Sequence, residues 1–344
     1  MNAFRHERSD RQSKPMSQHD AMTITVIIVS WNAKAFLLKC LESVLGQHIS
    51  GSMEVIVVDN ASCDGSPDAV AAAFPAVRVI RNEANHGFAK GNNIGIRAGS
   101  GEYLFLINSD VVVGESCFSR MIQYIATNPD VGMLGPRITG ADGRVQRSCM
   151  GYPSLWNMFT RALALDIVFP ASQLCGSQLL TFWNHDGTRS VDVINGCFWL
   201  LRRSALEHVG LLDERFLIYG EDIDWCKRFH EAGWKVVFYP DASAIHYGGA
   251  SSANASIRLY VEMQRAWFQY WVKHHSRRSS ATFLVINILH HAIRIGGEIA
   301  AYPLLRRRRA AAAENISRAW ASIKWAAATA ATAFRGRPAL ARSR

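Results

Sequence analysis

The sequence predicts an α/β protein whose mostly parallel sheet is flanked by helices. The first sign is residues 104–113, an apolar run between Gly101 and Gly114 that is too short for a helix and is typical of a strand buried on both faces. The second sign is the order strand, helix, strand near the start of the chain, which makes a right-handed βαβ unit. Because ligands of such sheets bind at the carboxyl ends of the strands, we expect the site at that edge.

The first half of the chain supplies strands and helices in alternation. β-Branched residues 23–30 predict the first strand, and apolar residues at helical spacing over 34–46 predict the first helix. The alternation continues with further predicted elements, which are strands at 54–58, 77–80 and 131–136, a helix that opens at Pro67 and a helix over 117–127. This order supports the α/β class.

Three glycines recur with a helical spacing after the third strand. Gly91, Gly95 and Gly99 lie four residues apart, so they share one face of a helix. The simplest interpretation is close packing of that helix on the sheet rather than a phosphate-binding loop. The chain contains neither GxGxxG nor GxxxxGKS, which weakens the case for a dinucleotide or P-loop site.

The second half of the chain is less regular. Residues 140–190 are poorly patterned and mix aromatic residues, among them Trp183, with polar turns. A long irregular stretch of this kind is typical of a variable insert that faces the substrate, with irregular core as the alternative. Regular patterning returns at 191–201, in a helix over 218–228 and in a strand over 235–239.

Two acids follow predicted strands. Asp59 comes directly after the second strand, and Asp110 interrupts the apolar run at 104–113. Both therefore lie at one edge of the sheet, which suggests a shared site, and Asp110 is where a phosphate-bound metal would be held. Each also has a plain alternative, which is a helix cap near Asp59 and a turn at Asp110.

The helix that ends at Arg228 carries three acids in its first turn. The helix dipole favours acids there, so this effect alone would explain them. Asp224 lies three and four residues before Lys227 and Arg228, which predicts a helical salt bridge. Glu221 and Asp222 start the helix, where they can face an open cleft.

Cysteine usage and the amino terminus bear on the compartment. The seven cysteines are scattered and form no CxxC pair, which favours a reducing compartment and argues against structural zinc. Residues 1–22 are polar and charged without an apolar core, so we expect no signal peptide and a disordered segment. Hydrophobic residues make up 49% of the chain, which is typical of a globular protein.

Basic charge is concentrated in the last part of the sequence. Residues 273–344 contain fourteen Lys and Arg against two acids, a net charge of +12. The whole chain carries +10, so the remainder is nearly neutral at −2. A basic tail on a nearly neutral body predicts a local anionic partner, either a membrane or a nucleic acid.

The tail is predicted to be helical. One polar stripe runs along it and consists of Asn287, His290, His291, Arg294 and Glu298. The uncharged run 279–293 is shorter than the roughly 20 residues that span a bilayer. We therefore expect a helix that lies in the membrane interface, followed by 306–309 on anionic headgroups, with packing on the main domain as the alternative.

Seven short motifs follow one another along the chain: VIIVSWN at 26–32, VVDNASCDGS at 57–66, NHGFAKGNNIG at 85–95, NSD at 108–110, NGCFWLLRR at 195–203, LDERFLIYGEDIDWCKR at 212–228 and HYGGAS at 246–251. In this order and spacing, the chain resembles inverting family 2 glycosyltransferases of the GT-A fold over 23–270, most closely rhamnosyltransferase-like members that build bacterial cell-surface polysaccharides. The resemblance implies a Rossmann-like, mostly parallel sheet in a GT-A domain over 23–272, with 273–344 as a basic helical extension that associates with the membrane.

The resemblance also implies a donor site. Asp59 is similar to the acid that accepts a hydrogen bond from the pyrimidine base of the donor. The remaining implied donor-binding residues are Ser30, Trp31, Asn85, Gly87, Asn92 and Asn108.

A metal site and a catalytic base are implied in the same way. Asp110 matches the metal-binding acid of the DxD-type motif, and His246 matches the position from which some relatives supply a second ligand. Asn108 replaces the first acid of that motif, which leaves one fewer charge on the metal. Hard oxygen ligands suit Mg²⁺, whereas an added imidazole makes Mn²⁺ more plausible. Asp222 resembles the catalytic base, with Glu221 beside it in the acceptor site.

These implications predict a metal-dependent, inverting transferase. Its donor is a nucleotide sugar, with rhamnose from dTDP as the first expectation, and its acceptor is lipid-linked or a polysaccharide, with Trp183 of the irregular stretch as a further acceptor-binding residue. We expect a peripheral protein on the cytoplasmic face of the inner or plasma membrane.

Two rival functions are weighed against this prediction. A nucleotidyltransferase that makes sugar nucleotides would need a Gly-rich basic loop, which SWNAK at 30–34 lacks. A nucleic-acid-binding protein that uses the Arg-rich tail would leave Asp59, Asp110 and Asp222 without a purpose, so no nucleic acid is expected.

Overall fold

The computed structural model describes residues 22–248, 257–302 and 309–334. The strands are β1 (Thr23–Ser30), β2 (Ser52–Asp59), β3 (Arg78–Arg81), β4 (Tyr103–Asn108), β5 (Val111–Val113), β6 (Val131–Thr139), β7 (Cys149–Met150), β8 (Arg189–Ser190), β9 (Val193–Ile194), β10 (Phe198–Arg202) and β11 (Lys235–His246). The helices are α1 (Lys34–Leu45), α2 (Ser66–Ala73), α3 (Gly87–Ala98), α4 (Cys117–Thr127), α5 (Leu155–Ala162), α6 (Leu165–Val168), α7 (Arg203–Val209), α8 (Glu221–Glu231), α9 (Ile257–His274), α10 (Arg277–Ala301) and α11 (Arg309–Phe334). The predicted disorder of 1–22 falls almost wholly outside the described residues.

A mixed sheet runs through the molecule in the order β3, β2, β1, β4, β10, β6, β11 and β5, and β8 pairs with β11. The first four strands are parallel neighbours. β10 runs antiparallel between β4 and β6, so β6 points the same way as β4. The carboxyl ends of β1, β2, β4 and β6 therefore share one side of the sheet, which we call the carboxyl edge. The predicted α/β class is confirmed.

The apolar run at 104–113 forms two strands rather than the single predicted one. β4 ends at Asn108, and β5 leaves to pair antiparallel with β11 at the far end of the sheet. The polar residues between them are the reason, because they form the turn at which the chain changes neighbours. Asp110 lies in this turn, and the pairing of Val111 with His246 brings it to the end of β11.

The three glycines at helical spacing pack α3 on β1, as predicted. A Cβ atom at Gly91 would lie 2.8 Å from Val29 Cγ1, and one at Gly95 would lie 2.4 Å from Ile27 Cγ2. At Gly99 the same atom would lie 2.4 Å from Thr25 Cγ2. The glycines therefore let the helix backbone approach the strand more closely than any larger residue would allow.

The core lies on both faces of the sheet. On one face, Phe105 of β4 stacks on Phe118 of α4 with ring centroids 3.9 Å apart. On the other face, Trp199 of β10 meets Trp225 of α8 edge to face at 5.4 Å. Alternating residues of β4 enter the two clusters, so both of its faces are buried as the sequence predicted.

β11 is longer than the predicted strand over 235–239. A register shift between Tyr239 and Ser243 interrupts its pairing with β6, after which the strand continues to His246. His246, which lies beyond the predicted strand, is therefore the last residue of the observed one. The bulge explains the difference, because the apolar pattern breaks at Pro240 and Asp241 although the pairing resumes.

The carboxyl-terminal helices pack on the domain. The predicted boundary at 272 falls inside α9, and α10 packs against α5, α9 and α11. Part of the predicted polar stripe faces inward, because Asn287 and His291 are buried and Asn287 Nδ2 donates to Gln264 Oε1 at 2.8 Å. By length and composition, α10 is the one helix among the described residues that would reach across a membrane.

Candidate active site

Ser30 and Asp59 form an unsatisfied polar pair at the carboxyl edge. They end β1 and β2 and lie opposite each other in the strand register. Both are buried, and neither Ser30 Oγ nor Asp59 Oδ1 has a hydrogen-bond partner. Asp59 Oδ2 accepts from the Ser62 backbone N–H at 3.0 Å, which holds the carboxylate in place. Buried polar atoms are almost always paired, so the two open atoms indicate a ligand site.

The start of α3 closes the side of this pair. Asn85 Oδ1 accepts from the Gly87 N–H at 2.9 Å, and Asn60 Nδ2 donates to Gly87 O at 3.1 Å. Gly87 has a φ of +76°, and a Cβ atom there would lie 2.4 Å from Leu217 O. Only glycine fits both constraints, so Asn85 and Gly87 are held beside Asp59 as a rigid loop.

Two other predicted donor residues are Trp31, which is exposed, and Asn92, which is buried inside α3. Trp31 follows β1 and is 48% exposed, so it stands at the rim of the cleft. Asn92 is buried within α3, and its Nδ2 donates to the Phe88 carbonyl of the same helix at 3.0 Å. Its amide group is therefore committed to the helix.

Asp110 and His246 meet where β5 pairs with β11. His246 Nε2 lies 3.3 Å from Asp110 Oδ1, and the Tyr247 N–H donates to Asp110 O at 3.0 Å. Gln146 binds the other side of the histidine ring. Gln146 Oε1 lies 3.0 Å from His246 Nδ1, and Gln146 Nε2 donates to the His246 carbonyl oxygen at 2.9 Å. A side-chain partner of this kind fixes the ring orientation of a metal-ligating histidine.

The donor atoms at Asp110 and His246 fit a divalent cation that is shared with a substrate. No cluster of three or more His, Cys, Asp or Glu side chains suited to a metal occurs among the described residues. One carboxylate and one imidazole leave the other positions to water and phosphate oxygens. The carboxylate suits either Mg²⁺ or Mn²⁺, and the imidazole favours Mn²⁺. Asn108 lies two residues before Asp110, and its backbone N–H donates to Cys197 O at 3.0 Å.

Glu221 and Asp222 open α8 after Gly220, which has a left-handed φ of +82°. Asp222 Oδ1 accepts from the Ile223 N–H at 2.8 Å. Glu221 is buried, and its Oε2 has no partner. Burial, followed by the adjacent Asp222 charge, raises the pKa of Glu221. Burial also raises the pKa of Asp222, which makes it a stronger base than an exposed aspartate.

Cys197 connects the metal side of the site with α8. Its thiol is buried, and after burial the charges of Asp110 and Asp222 are among the causes that raise its pKa. Both carboxylates therefore act on one buried group, which directly precedes β10.

A buried ion cluster around Asp224 connects α8 with α9. Asp224 is buried and is contacted by Arg228 Nε at 3.0 Å, Lys273 Nζ at 2.6 Å and His274 Nε2 at 2.7 Å. The predicted pair with Arg228 is confirmed, whereas the predicted pair with Lys227 is wrong. Lys227 instead binds Glu231 at 2.9 Å, because it points to a different side of the helix.

Trp183 lies in the irregular stretch, against β11. Its ring stacks on His185 with centroids 4.2 Å apart and meets Phe238 edge to face at 5.1 Å. The Arg189 guanidinium lies 5.4 Å from the centre of the indole. Trp183 is therefore held rigidly on the β6 and β11 side of the sheet, away from Ser30 and Asp59.

The motifs did not identify three residues that the structure brings into the site. Asn60 braces the α3 loop, Gln146 orients His246, and Asn195 carries a buried Oδ1 without a partner. Asn60 and Asn195 both lie inside motifs named above. Each is a polar residue directly after an apolar strand, and that pattern could have marked them as site residues. Gln146 offered no such signal, because its role depends on a contact one hundred residues away.

Known proteins share this architecture. The model of glycosyl transferase family 2 matches residues 25–210. An N-acetylglucosaminyl-diphospho-decaprenol L-rhamnosyltransferase of Mycobacterium tuberculosis is 27% identical over 278 residues, which cover 74% of this chain and 85% of that protein. The low-salt glycan biosynthesis hexosyltransferase Agl10 of Haloferax volcanii is 25% identical over 228 residues, or 65% of this chain and 66% of that protein.

A solved structure is also similar. The mannosyltransferase PcManGT from Pyrobaculum calidifontis, in complex with GDP-Man and Mn²⁺, aligns with a TM-score of 0.52 and 18% identity. The alignment covers 90% of this chain and 86% of that chain. At this identity the likeness concerns the fold, and the fold is the one that the sequence motifs predicted.

Proposed function

This chain belongs to glycosyl transferase family 2 and has the GT-A fold, and on that basis we propose that it moves a sugar from a nucleoside diphosphate to an acceptor hydroxyl with inversion. The observation that carries the proposal is the meeting of three pairs at the carboxyl edge. These are the unsatisfied Ser30 and Asp59, the contact between Asp110 and His246, and the two carboxylates that open α8. Together they offer a place for a base, for a diphosphate and for an acceptor.

The donor nucleoside is proposed to lie on Ser30 and Asp59. A pyrimidine base with a ring N–H can donate to Asp59 Oδ1, and the Ser30 hydroxyl can donate to a neighbouring exocyclic carbonyl oxygen of that base. Such bonds would satisfy both buried atoms and so favour that base over one without the donor. The rhamnosyltransferase of M. tuberculosis supports rhamnose as the first sugar to test. We propose dTDP as its carrier, as the resemblance of the motifs implies.

Asp110 and His246 are proposed to hold Mg²⁺ or Mn²⁺. A bound divalent cation supplies Lewis-acid stabilisation of the charge that grows on the leaving diphosphate. The solved mannosyltransferase of the same fold contains Mn²⁺, which supports the choice of metal class. Gln146 keeps His246 turned toward Asp110, so this chain positions both ligands before any substrate arrives.

Asp222 is proposed to be the general base. It would take the proton of the acceptor hydroxyl as that oxygen bonds to the anomeric carbon and the bond from this carbon to the diphosphate oxygen breaks on the opposite face. A positioned base of this kind contributes about 10²- to 10⁴-fold to the rate. Glu221, protonated more readily because of its raised pKa, would donate a hydrogen bond that orients the acceptor.

The acceptor is proposed to be lipid-linked and used at the cytoplasmic face of the membrane, where the chain would be peripheral. Exposed apolar residues form a surface on α6 and α10, which we call the apolar face and which consists of Ile167, Val168, Val285, Leu289 and Ile293. Helix α5 contacts both α6 and α10 and so links these two parts of the surface. Basic residues flank the surface at Arg277, Arg278 and Arg294, which is the charge pattern that favours anionic lipid.

The proposal is tested by release of nucleoside diphosphate from a panel of nucleotide sugars. We expect the purified full chain to turn over one donor slowly in the presence of Mn²⁺ or Mg²⁺, since water replaces the missing acceptor. Asp110→Ala and Asp222→Asn should each lose this turnover. Asp142→Asn, which removes an exposed carboxylate in a turn, is the matched control and should retain it.

A second measurement separates binding from chemistry. If no donor turns over, equilibrium binding of the same panel shows whether the nucleoside site exists. A folded wild-type protein that neither binds nor turns over any member of the panel would overturn the transferase proposal.

A further inference from the structure

A pocket lies in the irregular stretch that packs against β11. It has a volume of about 180 Å³ and is lined by Val145, Arg147, Trp183, Asn184 and His185. We call it the insert pocket, because the irregular stretch over 140–190 supplies all of its walls. None of these residues takes part in the donor and metal chemistry proposed above.

The insert pocket contains a buried polar atom that lacks a partner. His185 is 1% exposed, and its Nε2 makes no hydrogen bond. The ring is fixed by stacking on Trp183 at 4.2 Å and by an edge contact with Phe238 at 5.4 Å. A buried ring nitrogen held in one orientation without a partner indicates a ligand.

Two guanidinium groups and one carboxylate act on the His185 ring. Burial lowers the pKa of His185 most, and the charges of Arg147 and Arg137 lower it further, whereas Asp186 and a backbone bond at Trp183 oppose them. Arg147 is exposed, and Arg137 carries a buried Nε without a partner. Two guanidinium groups near a neutral imidazole suit an anion, and phosphate oxygens fit the guanidinium geometry best.

The insert pocket is joined to the metal site through three consecutive residues. Gln146 binds His246, Arg147 lines the pocket, and Ser148 O accepts from the Asn195 N–H at 2.8 Å. The donor pair lies on β1 and β2, whereas His246 of the metal site and Phe238, which contacts the pocket residue Trp183, both belong to β11. The pocket is therefore on the metal side of the sheet rather than on the donor side.

We propose that the insert pocket binds the phosphate groups of a diphosphate-linked acceptor. The proposal rests on the proposed function, since it assigns the acceptor of that same site. Arg147 on the pocket wall, with the charge of Arg137 behind it, would neutralise the phosphate charge, a water bound to the phosphate would donate to His185 Nε2, and Trp183 would contact the first sugar. A neutral polysaccharide end would use none of the charged groups.

Binding tests the site without relying on turnover. The probes are geranyl diphosphate, inorganic pyrophosphate and geraniol, each titrated calorimetrically into the full chain with Mg²⁺ and saturating dTDP, which occupies the donor site. We expect both phosphate probes to bind and geraniol not to bind, with the prenyl chain adding affinity. Because charge-assisted bonds are lost, Arg147→Gln should weaken the phosphate probes about tenfold or more, and Arg147→Lys should recover part of the loss.

Arg144→Gln is the matched control. Arg144 lies in the same stretch, is exposed and pairs only loosely with Asp142 at 3.7 Å, so its loss should change the affinity less than twofold. Equal affinity of wild type and Arg147→Gln for geranyl diphosphate would overturn the proposal. So would an equal loss in Arg144→Gln, which would show attraction by overall charge alone.

Kinetics distinguishes this proposal from the proposed function. Donor hydrolysis by Arg147→Gln should equal that of wild type, while its KM for a prenyl-diphosphate-linked N-acetylglucosamine rises and its KM for an octyl N-acetylglucosaminide does not. If the wild-type protein hydrolysed no donor, the transferase proposal would be contradicted. The calorimetric titrations would then decide separately whether the insert pocket binds phosphate. A KM that rises equally for both acceptors would contradict the phosphate assignment.

Discussion

Asp222 differs from an ordinary surface aspartate in one property that can be measured. Burial raises its pKa, and the adjacent Glu221 carries a raised pKa as well. A base with a raised pKa takes up its proton at a higher pH, so activity should fall as the pH drops through that value rather than through the usual value near 4.

We therefore predict an acidic limb in the pH profile of kcat that lies above the pKa of an exposed aspartate. Asp222→Asn should lower kcat by about 10²- to 10⁴-fold without changing donor affinity. Steady-state rates between pH 4.5 and 8 check both points. A profile that stays flat to pH 4.5, or an Asp222→Asn enzyme with normal kcat, would contradict the assignment.

At the level of single residues, the sequence was informative where a polar side chain interrupted an apolar pattern. Asp59 ends β2, Asp110 lies in the turn after β4 and Glu221 starts α8, and the parallel strands place Asp59 and Asp110 at the same edge of the sheet. Gln146 and His185 could not be found in this way. Their roles come from contacts between distant parts of the chain, which no local pattern encodes.

The contact between α3 and β1 is the tightest helix–sheet approach described above. We predict that Gly95→Ala destabilises the protein by about 1–3 kcal/mol, because the added methyl group would lie 2.4 Å from Ile27 Cγ2 in a buried strand. Urea unfolding of the purified protein measures this change.

Gly297→Ala is the control for helix propensity. Gly297 lies in α10 with nothing within 4 Å of an added Cβ, so alanine there should stabilise by up to about 1 kcal/mol. If both substitutions stabilised the protein, the close approach of α3 to β1 would be wrong.

The Asp224 cluster joins α8 to α9 and should respond to acid. Although burial raises the pKa of Asp224, hydrogen bonds from His274 and Lys273 lower it overall. Its contribution to stability is therefore present above the unfolded pKa near 4 and is lost as the pH falls through the lower folded value.

We predict that Asp224→Asn costs about 3 kcal/mol at pH 7, since it leaves the buried ends of Arg228 and Lys273 without their countercharge. Glu231→Gln removes the partner of Lys227 at a more exposed position and should cost less than about 1 kcal/mol. Thermal unfolding of the three proteins gives the comparison, and an equal effect of both substitutions would contradict the distinct role of the buried cluster.

The elements themselves were predicted well where the hydrophobic period was long and clean. β1 and α4 have the predicted bounds, and α3 packs on its glycine face. The run at 104–113 was misjudged because an apolar pattern does not reveal which strand it pairs with. The orientation of α10 could not be predicted either, since its buried Asn287 bonds Gln264 of α9, a contact that only the tertiary structure supplies.

Charge and apolar surface are distributed unevenly over the whole molecule. Residues 273–344 carry the net charge of +12, and Val285 on the apolar face is 64% exposed. We predict that the full chain co-sediments with phosphatidylglycerol vesicles and much less with phosphatidylcholine vesicles, and that added salt weakens this binding.

Substitutions on the apolar face separate lipid insertion from simple charge attraction. Val285→Glu with Leu289→Glu should weaken binding to phosphatidylglycerol about tenfold or more, because two apolar side chains no longer enter the lipid. Leu45→Glu adds an acid at an exposed position on α1, which packs on the opposite face of the sheet, and should have a smaller effect. Unchanged binding of the double variant would contradict a role for this surface.

The backbone at Gly87 limits how donor preference can be altered by design. Its left-handed φ and the 2.4 Å approach of an added Cβ to Leu217 O exclude every side chain there. The Phe88 N–H also donates to Leu217 O at 3.2 Å, which ties this loop to the segment before α8. Mutant libraries aimed at new nucleotide sugars should therefore vary the exposed Trp31 and keep Gly87 unchanged.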